Sequence, residues 1–409
     1  MDVSNASLRQ FCFVFVGLAV ADVTLTAPSE ASAQTYVDGN VINETWTTSS
    51  DPYVITGDTF VPVGSTLTIE AGVEVQIEDG DTQGSAPDTS RSALVVEGAI
   101  DVNGTQANPV HFRADSGSST SHWYGLIVES SATSATFDHV ILEHARYGIV
   151  SHAGGSVFAG NHLELRNNYY YGIQFDAGSP TLTNVIAYDN STGITTTSSS
   201  VDLTVDNALI YQNGNGISVD LSSSSTNVSI DQATIWDNSY DGIDIDTSGT
   251  TSAVLDVQNS IIFENGDYGI YRDYTNGTVN VSNTNVWNNS VSDTYRVSTS
   301  GSGNLRRNPL LADPPNSFAL TSHSPCRSAG DSGQDIGAVA YSGTPTGRWL
   351  GTLYTDTTFT AAQSPYVIEG DLTIPAGVTL TVEPGVTVEF MANTDDMIAQ
   401  PDTSRSVLH

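Results

Sequence analysis

The 409-residue sequence predicts an all-β fold, a right-handed single-stranded parallel β-helix, from three observations. A glycine followed by an aliphatic residue recurs at Gly125-Leu126, Gly148-Ile149, Gly172-Ile173, Gly193-Ile194, Gly216-Ile217, Gly242-Ile243 and Gly269-Ile270, at intervals of 21 to 27 residues. A polar anchor precedes these glycines by three or four positions at His144, Asn168, Asn190, Asn213, Asn238 and Asn265, with Asn289 closing the series. Upstream of the anchors run alternating apolar pairs such as Leu203/Val205, Val228/Ile230, Leu255/Val257 and Val279/Val281. That two-residue period belongs to strands with one buried face. Repeats of this length are single supersecondary units that cannot bury their apolar faces until neighbours stack on them. No window sustains a 3.6-residue period, and equal units with the same corner residue argue against antiparallel hairpins.

Taken in order, residues 1–33 read as a signal peptide. The apolar stretch 11–21 is shorter than the ~20 residues a membrane span needs, and Ala31-Ser32-Ala33 offers a small-residue cleavage site. Its removal takes Cys12 with it and leaves Cys326 without a disulfide partner. The β-helix module occupies 34–343, its first coils supplied by residues 53–77 and 92–112. A second polar corner lies six places before each anchor, at Asn184, Asn207, Gln232, Asn259 and Asn283. Asn suits both corners because it tolerates the left-handed backbone and its amide can bond the equivalent group on the next coil, about 4.8 Å away. Residues 300–343 form a terminator. Residues 344–409 begin a second module: Val54, Gly57, Asp58, Leu67 and Glu70 return 313 positions later as Val367, Gly370, Asp371, Leu380 and Glu383, and the hexapeptide 87–92 returns at 401–406. A chain that stops inside a new module is expected to be a fragment of a longer polypeptide.

Charge narrows the function classes. With 46 acidic against 12 basic residues, the net charge is -34, and all 12 basic residues are Arg. A nucleic-acid partner is excluded by the lack of any basic cluster, and no membrane span is expected. Total absence of Lys with an excess of acids suits a chain kept soluble in concentrated salt, where screening removes self-repulsion.

The glycine-anchored coils are joined by the opening LTIEAGVEVQI at 67–77 and a closing stretch that runs from Asn308-Pro309-Leu310-Leu311-Ala312-Asp313 through Ser324-Pro325-Cys326 to Asp335-Ile336-Gly337-Ala338. With these features the sequence resembles secreted or cell-surface right-handed parallel β-helix repeat proteins of the pectin-lyase-like superfamily, over residues 45–343 and again over 364–409. The resemblance implies the fold and export. It leaves activity open, because the same coil supports lyases, hydrolases, epimerases, adhesins and structural stalks.

Three groups of side chains are candidates. Four positions after the glycine stand His152, Asp176, Thr197, Asp220, Asp246 and Asp273, with Asp244 beside Asp246, all predicted to face outward. Catalysis is assigned to Asp220, Asp244, Asp246 and Asp273, since two carboxylates about 5 to 9.5 Å apart can flank a glycosidic bond. Against this, the Gly-His-Gly turn and Arg-x-Lys pair of hydrolases on this fold are missing. The bland alternative is a solvated acidic face; a third is Ca2+ held by Asp244, Asp246 and Asp273. Two places before the anchors, Tyr188, Tyr211, Trp236, Phe263 and Trp287 form an aromatic stripe, read either as a glycan or partner surface or as a dock for a terminal tail. A denser polar patch gathers His139, Glu143, His144, Arg146, His152, Glu164, Arg166 and Tyr169 to Tyr171, the best place to look for an active site, with His139 read as inward-facing.

The sequence is therefore expected to encode an exported rigid module at the cell surface or secreted, for adhesion or carbohydrate contact with a polysaccharide or surface glycan. The alternative is a polysaccharide lyase or glycoside hydrolase acting on an acidic polysaccharide. No cofactor is required, Ca2+ being the one ion the pattern admits, and no oligomeric state is assigned.

Overall fold

The computed structural model describes residues 34–84, 88–198, 200–222, 226–249 and 252–391. The expected signal peptide, the Pro87 of the hexapeptide and its return at 401–406 lie outside the described residues.

Among the described residues, 26 strands from Thr35 to Tyr295 join in one hydrogen-bonded sheet in which every strand pairing is parallel and links a strand to its counterpart on the next coil. The chain winds through three faces per coil. The first face holds the glycine-anchored strands, such as Gly125–Val128, Tyr171–Phe175 and Asn215–Asp220. The second and third share long strands such as Ser134–Glu143 and Phe158–Arg166, which bend between the faces, or separate strands such as Asn227–Asp231 and Thr234–Trp236. The predicted parallel β-helix is the observed fold.

Like residues stack on like. Leu126, Ile149, Ile173, Ile194, Ile217, Ile243 and Ile270 pair in unbroken register and are fully buried. One apolar cluster runs from Val41 to Val297 along the whole interior. The glycine before each of these residues has a packing cause. A Cβ on Gly148 would stand 2.2 Å from the Gly172 carbonyl oxygen, and one on Gly216 would stand 2.4 Å from that of Gly242.

The anchor asparagines line up in a single buried column. The Asn190 backbone N–H donates to Asn213 Oδ1, Asn213 to Asn238, Asn238 to Asn265 and Asn265 to Asn289, at 3.0 to 3.2 Å. Each side-chain amide repeats the same link, as Asn213 Nδ2 does to Asn238 Oδ1 at 3.1 Å. Two details differ from expectation. The left-handed residue at this corner is the one before the anchor, Asn167, Asp189, Gln212, Asp237 or Glu264. His144, with φ 66°, aligns with Asn167, so Ala145 and not His144 fills the anchor slot; its N–H donates to Asn168 Oδ1. At the other corner Asn184, Asn207, Gln232, Asn259 and Asn283 are themselves left-handed, as predicted.

After the last coil the chain turns back along the third face. An antiparallel pair, Leu311–Asp313 with Ser317–Leu320, and the segment to Tyr341 dock against the solenoid. Ala338 N–H donates to Thr234 Oγ1, Gly337 N–H to the Asn259 carbonyl, and Asn283 Nδ2 to the Ala329 carbonyl, so this strap crosses three coils. Parallel pairing then resumes among Trp349–Thr352, Thr357–Phe359, Tyr366–Thr373, Leu380–Val382 and Val388–Phe390. The local geometry of the first coil recurs there. Trp46 stacks on Tyr53 at 4.6 Å, and Phe359 stacks on Tyr366 at 3.9 Å, each pair 313 positions from its counterpart.

Candidate active site

The strap covers part of the aromatic stripe. Tyr188, Tyr211, Trp236, Phe263 and Trp287 do pair rung by rung, as the spacing predicts. Phe263 and Trp287, however, are buried beneath Leu320, Cys326 and Ile336, and Phe318 packs on both Tyr211 and Trp236. An apolar stripe of this size is covered because water would otherwise meet it. Phe263, Trp287 and part of Tyr211 and Trp236 thus form the dock of the strap, the second of the two readings, while Tyr188 lies apart from it, bonded to Glu164. The same contact buries Cys326, whose thiol is pushed up to about 12 by desolvation.

The acidic ladder also resolves into structure. Asp220 and Asp246 are rung partners, and each accepts a backbone N–H from its own turn, Ser222 and Ser248, at 2.8 Å. Asp273 accepts from the Thr247 N–H at 2.7 Å and the Tyr274 N–H at 2.6 Å. Three of the four proposed catalytic acids are thus turn caps, the role Asp favours where a strand enters a loop. Nor do Asp244, Asp246 and Asp273 converge as a cation site; among the described residues the one group of three with ligand atoms within 4.8 Å of one another is Asp138, His139 and His162. Asp244 remains, half-buried, with its pKa raised by burial and then by Asp273 and Asp246, against a hydrogen bond from Ser218. Asp241, not singled out from the sequence, is lifted to about 6 by burial and by Asp244 and Asp267, against an opposing hydrogen bond from the Tyr268 N–H.

The early polar patch divides over three places. His139 is not inward-facing: it sits at the corner between second and third faces with φ 50°. Glu143, Glu164 and Arg166 lie on the third face. There Arg166 Nε donates to Glu143 at 2.8 Å, His111 Nε2 lies 2.9 Å from the same carboxylate, and the Tyr188 hydroxyl donates to Glu164 at 3.0 Å. This network is internally satisfied.

His152 lies on the first face, in a depression of about 450 Å³ walled by Tyr124, Glu129, Tyr147, Tyr171 and Gln174. Its Nδ1 is 2.7 Å from Asp176 Oδ2, on the next rung. Asp176 also accepts from Gln174 Nε2 at 2.8 Å and from the Thr197 hydroxyl. Burial alone would raise the Asp176 pKa, but the hydrogen bonds from His152, Thr197 and Gln174 outweigh it and hold the carboxyl at about 2. In return the bond to Asp176 raises the His152 pKa above its ordinary value, burial opposing. A carboxylate that fixes one imidazole nitrogen leaves the other to take a proton.

Tyrosines stand beside it because the residue before each anchoring glycine points outward. Tyr124 and Tyr147 have ring centroids 5.1 Å apart, and Tyr147 and Tyr171 5.9 Å. Arg146 sits over the rings of Tyr147 and Tyr170, at 5.9 and 5.5 Å, and 3.6 Å from Asp88. Desolvation raises the phenols of Tyr124 and Tyr171. The sequence pattern held this signal: Tyr-Gly recurs at 124–125, 147–148, 171–172 and 268–269, and His152 and Asp176 are successive members of one outward column. The depression therefore joins an imidazole paired to a carboxylate with phenolic groups on one surface.

A family model described as right handed beta helix region matches residues 100–254 and 166–308, together just over half of the chain. Among solved structures the chain is similar to the periplasmic alginate epimerase AlgG (11% identity, 87% of this chain and 77% of that one, TM-score 0.39). It is similar also to pectate lyase Pel9A (17%, 72% and 88%, TM-score 0.39) and to the A-module of the Azotobacter vinelandii mannuronan C-5 epimerase AlgE4 (13%, 92% and 91%, TM-score 0.37). None of the curated proteins matches the sequence.

Proposed function

The chain belongs to the right-handed β-helix family, and from that premise we propose that it is an exported enzyme acting on an acidic polysaccharide by acid–base chemistry, with His152 as the base. The observation that carries this reading is the His152–Asp176 pair at 2.7 Å in a depression lined by three tyrosines. Elimination fits these groups better than hydrolysis, which asks for two carboxylates flanking the bond. Neutral His152 takes the proton from the sugar carbon next to the uronate carboxylate. The electron pair forms a carbon–carbon double bond, the adjacent glycosidic C–O bond breaks, and the leaving oxygen takes a proton from a tyrosine hydroxyl. The uronate carboxylate is assigned to Arg146, which lies over the ring of Tyr147. Adhesion is the weaker reading, since its main support was the aromatic stripe, much of which the strap covers. Export belongs to the same proposal, because extended polysaccharides are met outside the cell. Among the described residues no helix is long and apolar enough to cross a membrane.

The test is a panel of polyuronates at low and molar salt, with the absorbance of the unsaturated product followed in time. Turnover that falls about 10²- to 10⁴-fold in His152→Ala is expected. Absence of turnover on every polymer, or an unchanged rate in the variant, overturns the proposal.

A further inference from the structure

The corner between the second and third faces carries an amide side chain on five successive coils, from Asn184 to Asn283, with φ between 48° and 56°. The two coils before them carry His139 and His162 in that slot, with φ 50° and 53°. The amides bond from coil to coil: Asn207 Nδ2 donates to Asn184 Oδ1 at 2.6 Å, Asn184 Nδ2 to Asn161 Oδ1 at 3.0 Å, and Asn161 Nδ2 to Asp138 Oδ1 at 2.9 Å. This chain of bonds runs past the imidazoles. Their rings stack on each other instead, 4.1 Å between centroids and 9° from parallel.

His139 Nδ1 is buried and makes no hydrogen bond, although Asp138 Oδ1 lies 2.8 Å from it; the contact has the length of a hydrogen bond without its direction. His162 Nδ1 lies 3.7 Å from the same oxygen. Three lone-pair donors therefore face one small volume, and one ligand atom from each residue lies within 4.8 Å of the others. An ion with bonds of about 2.0 to 2.1 Å to nitrogen and oxygen holds tetrahedral ligands roughly 3.4 Å apart. The observed separations, 2.8 and 3.7 Å, bracket that edge.

We propose that Asp138, His139 and His162 bind a divalent transition-metal ion of the Zn2+ class. Two imidazoles and one carboxylate select borderline metals over Ca2+, which takes oxygen ligands. The site opens into a depression of about 400 Å³ that Gln106, Glu164 and Asn184 also line, which gives water room to complete the coordination shell. To coordinate, the rings tilt out of their stack so that both nitrogens meet one point. His162, with 44% of its side chain exposed, has the space to do so. The bound ion joins two consecutive coils at their corner, away from the first face and from His152, so it is a staple and takes no part in the proton transfers above.

The full chain is stripped with chelator and titrated with Zn2+ alone by calorimetry, and melting is followed with and without the ion. One equivalent is expected to bind and to raise the melting temperature. The double variant His139→Asn/His162→Asn places in the slot the residue that later coils use, so it folds. It should bind at least ~10-fold more weakly and lose the metal-dependent rise, while its metal-free melting stays near that of the parent. Asp138→Asn gives a second, independent loss. A dissociation constant above about 1 mM for the parent chain overturns the proposal. So does undiminished binding in the double variant, which would assign the ion to other histidines.

Discussion

At the scale of single residues the molecule turns on how Asp176 sets the charge of His152. Folded-state pKa values of the two move apart, Asp176 downward to about 2 and His152 upward. The Asp176 contribution to stability is present above the unfolded carboxyl value near ~3.9 and is lost as pH falls toward 2; that of His152 is full below ~6.5 and is lost as pH rises through its folded value. The pair therefore helps most between about pH 4 and 6.5. On the proposed mechanism activity has the opposite sign, since the base must be neutral: kcat/KM should rise through a pKa above ~6.5. Asp176→Asn removes the lift, so the rising limb of the pH–rate profile should shift to lower pH while the maximum rate falls. An unshifted limb means that another group titrates. Of this site, the column containing His152 and Asp176 was legible in the sequence because period-two alternation places both outward. Which acids would be spent on capping turns was not. That depends on loop backbone N–H groups, as at Ser222, Ser248 and Tyr274, whose positions no periodicity encodes.

At the scale of the element, one coil is held to the next by the buried asparagine. Asn213 Nδ2 donates to the carbonyls of Ala187 and Tyr211 at 3.0 Å and to Asn238 at 3.1 Å, while its Oδ1 accepts from Asn190. Asn213→Ala orphans several buried groups at once and should destabilise by about 3 kcal/mol, seen as a lower urea midpoint. A change under ~0.5 kcal/mol would mean that the ladder is replaced by water. The repeat was readable because an inward strand position, a glycine forced by the neighbouring carbonyl and an amide corner each recur once per coil. The register of the coil containing His144 was read one residue out. Its anchor slot holds Ala145, so the only polar residue available to match was the left-handed one beside it.

At the scale of the whole molecule, the strap and the surface charge decide stability. Trp287 is buried where the strap meets the last coils, so Trp287→Ala should cost about 3 to 5 kcal/mol while leaving turnover at the distant His152 site intact. Loss of turnover in a folded protein would show that the two ends are coupled. With a net charge of -34, a rise in NaCl from ~0.1 to ~1 M, which shortens the screening length from about 10 to 3 Å, should raise the melting temperature. A fall in a calorimetric scan would count against salt adaptation. The strap's dock could not be told from a sugar-binding stripe in the sequence, because exposed and covered aromatics share the same outward spacing; only the return of residues 305–341 over them distinguishes the two.

The asparagine column runs one way, each amide accepting from the coil before it, until Asn289 donates to the carboxylate of Asp293, which Arg306 also grips. Every interior rung presents an identical socket below and plug above. Within this column a coil can accordingly be duplicated or excised without stranding one of its amides, whereas the carboxylate terminus has no substitute and the coils at Thr234, Asn259 and Asn283 are fixed besides by the strap. As far as the column decides it, length is free to drift by copy number in the coils ahead of the strap, while the strapped coils and the final cap are fixed by chemistry.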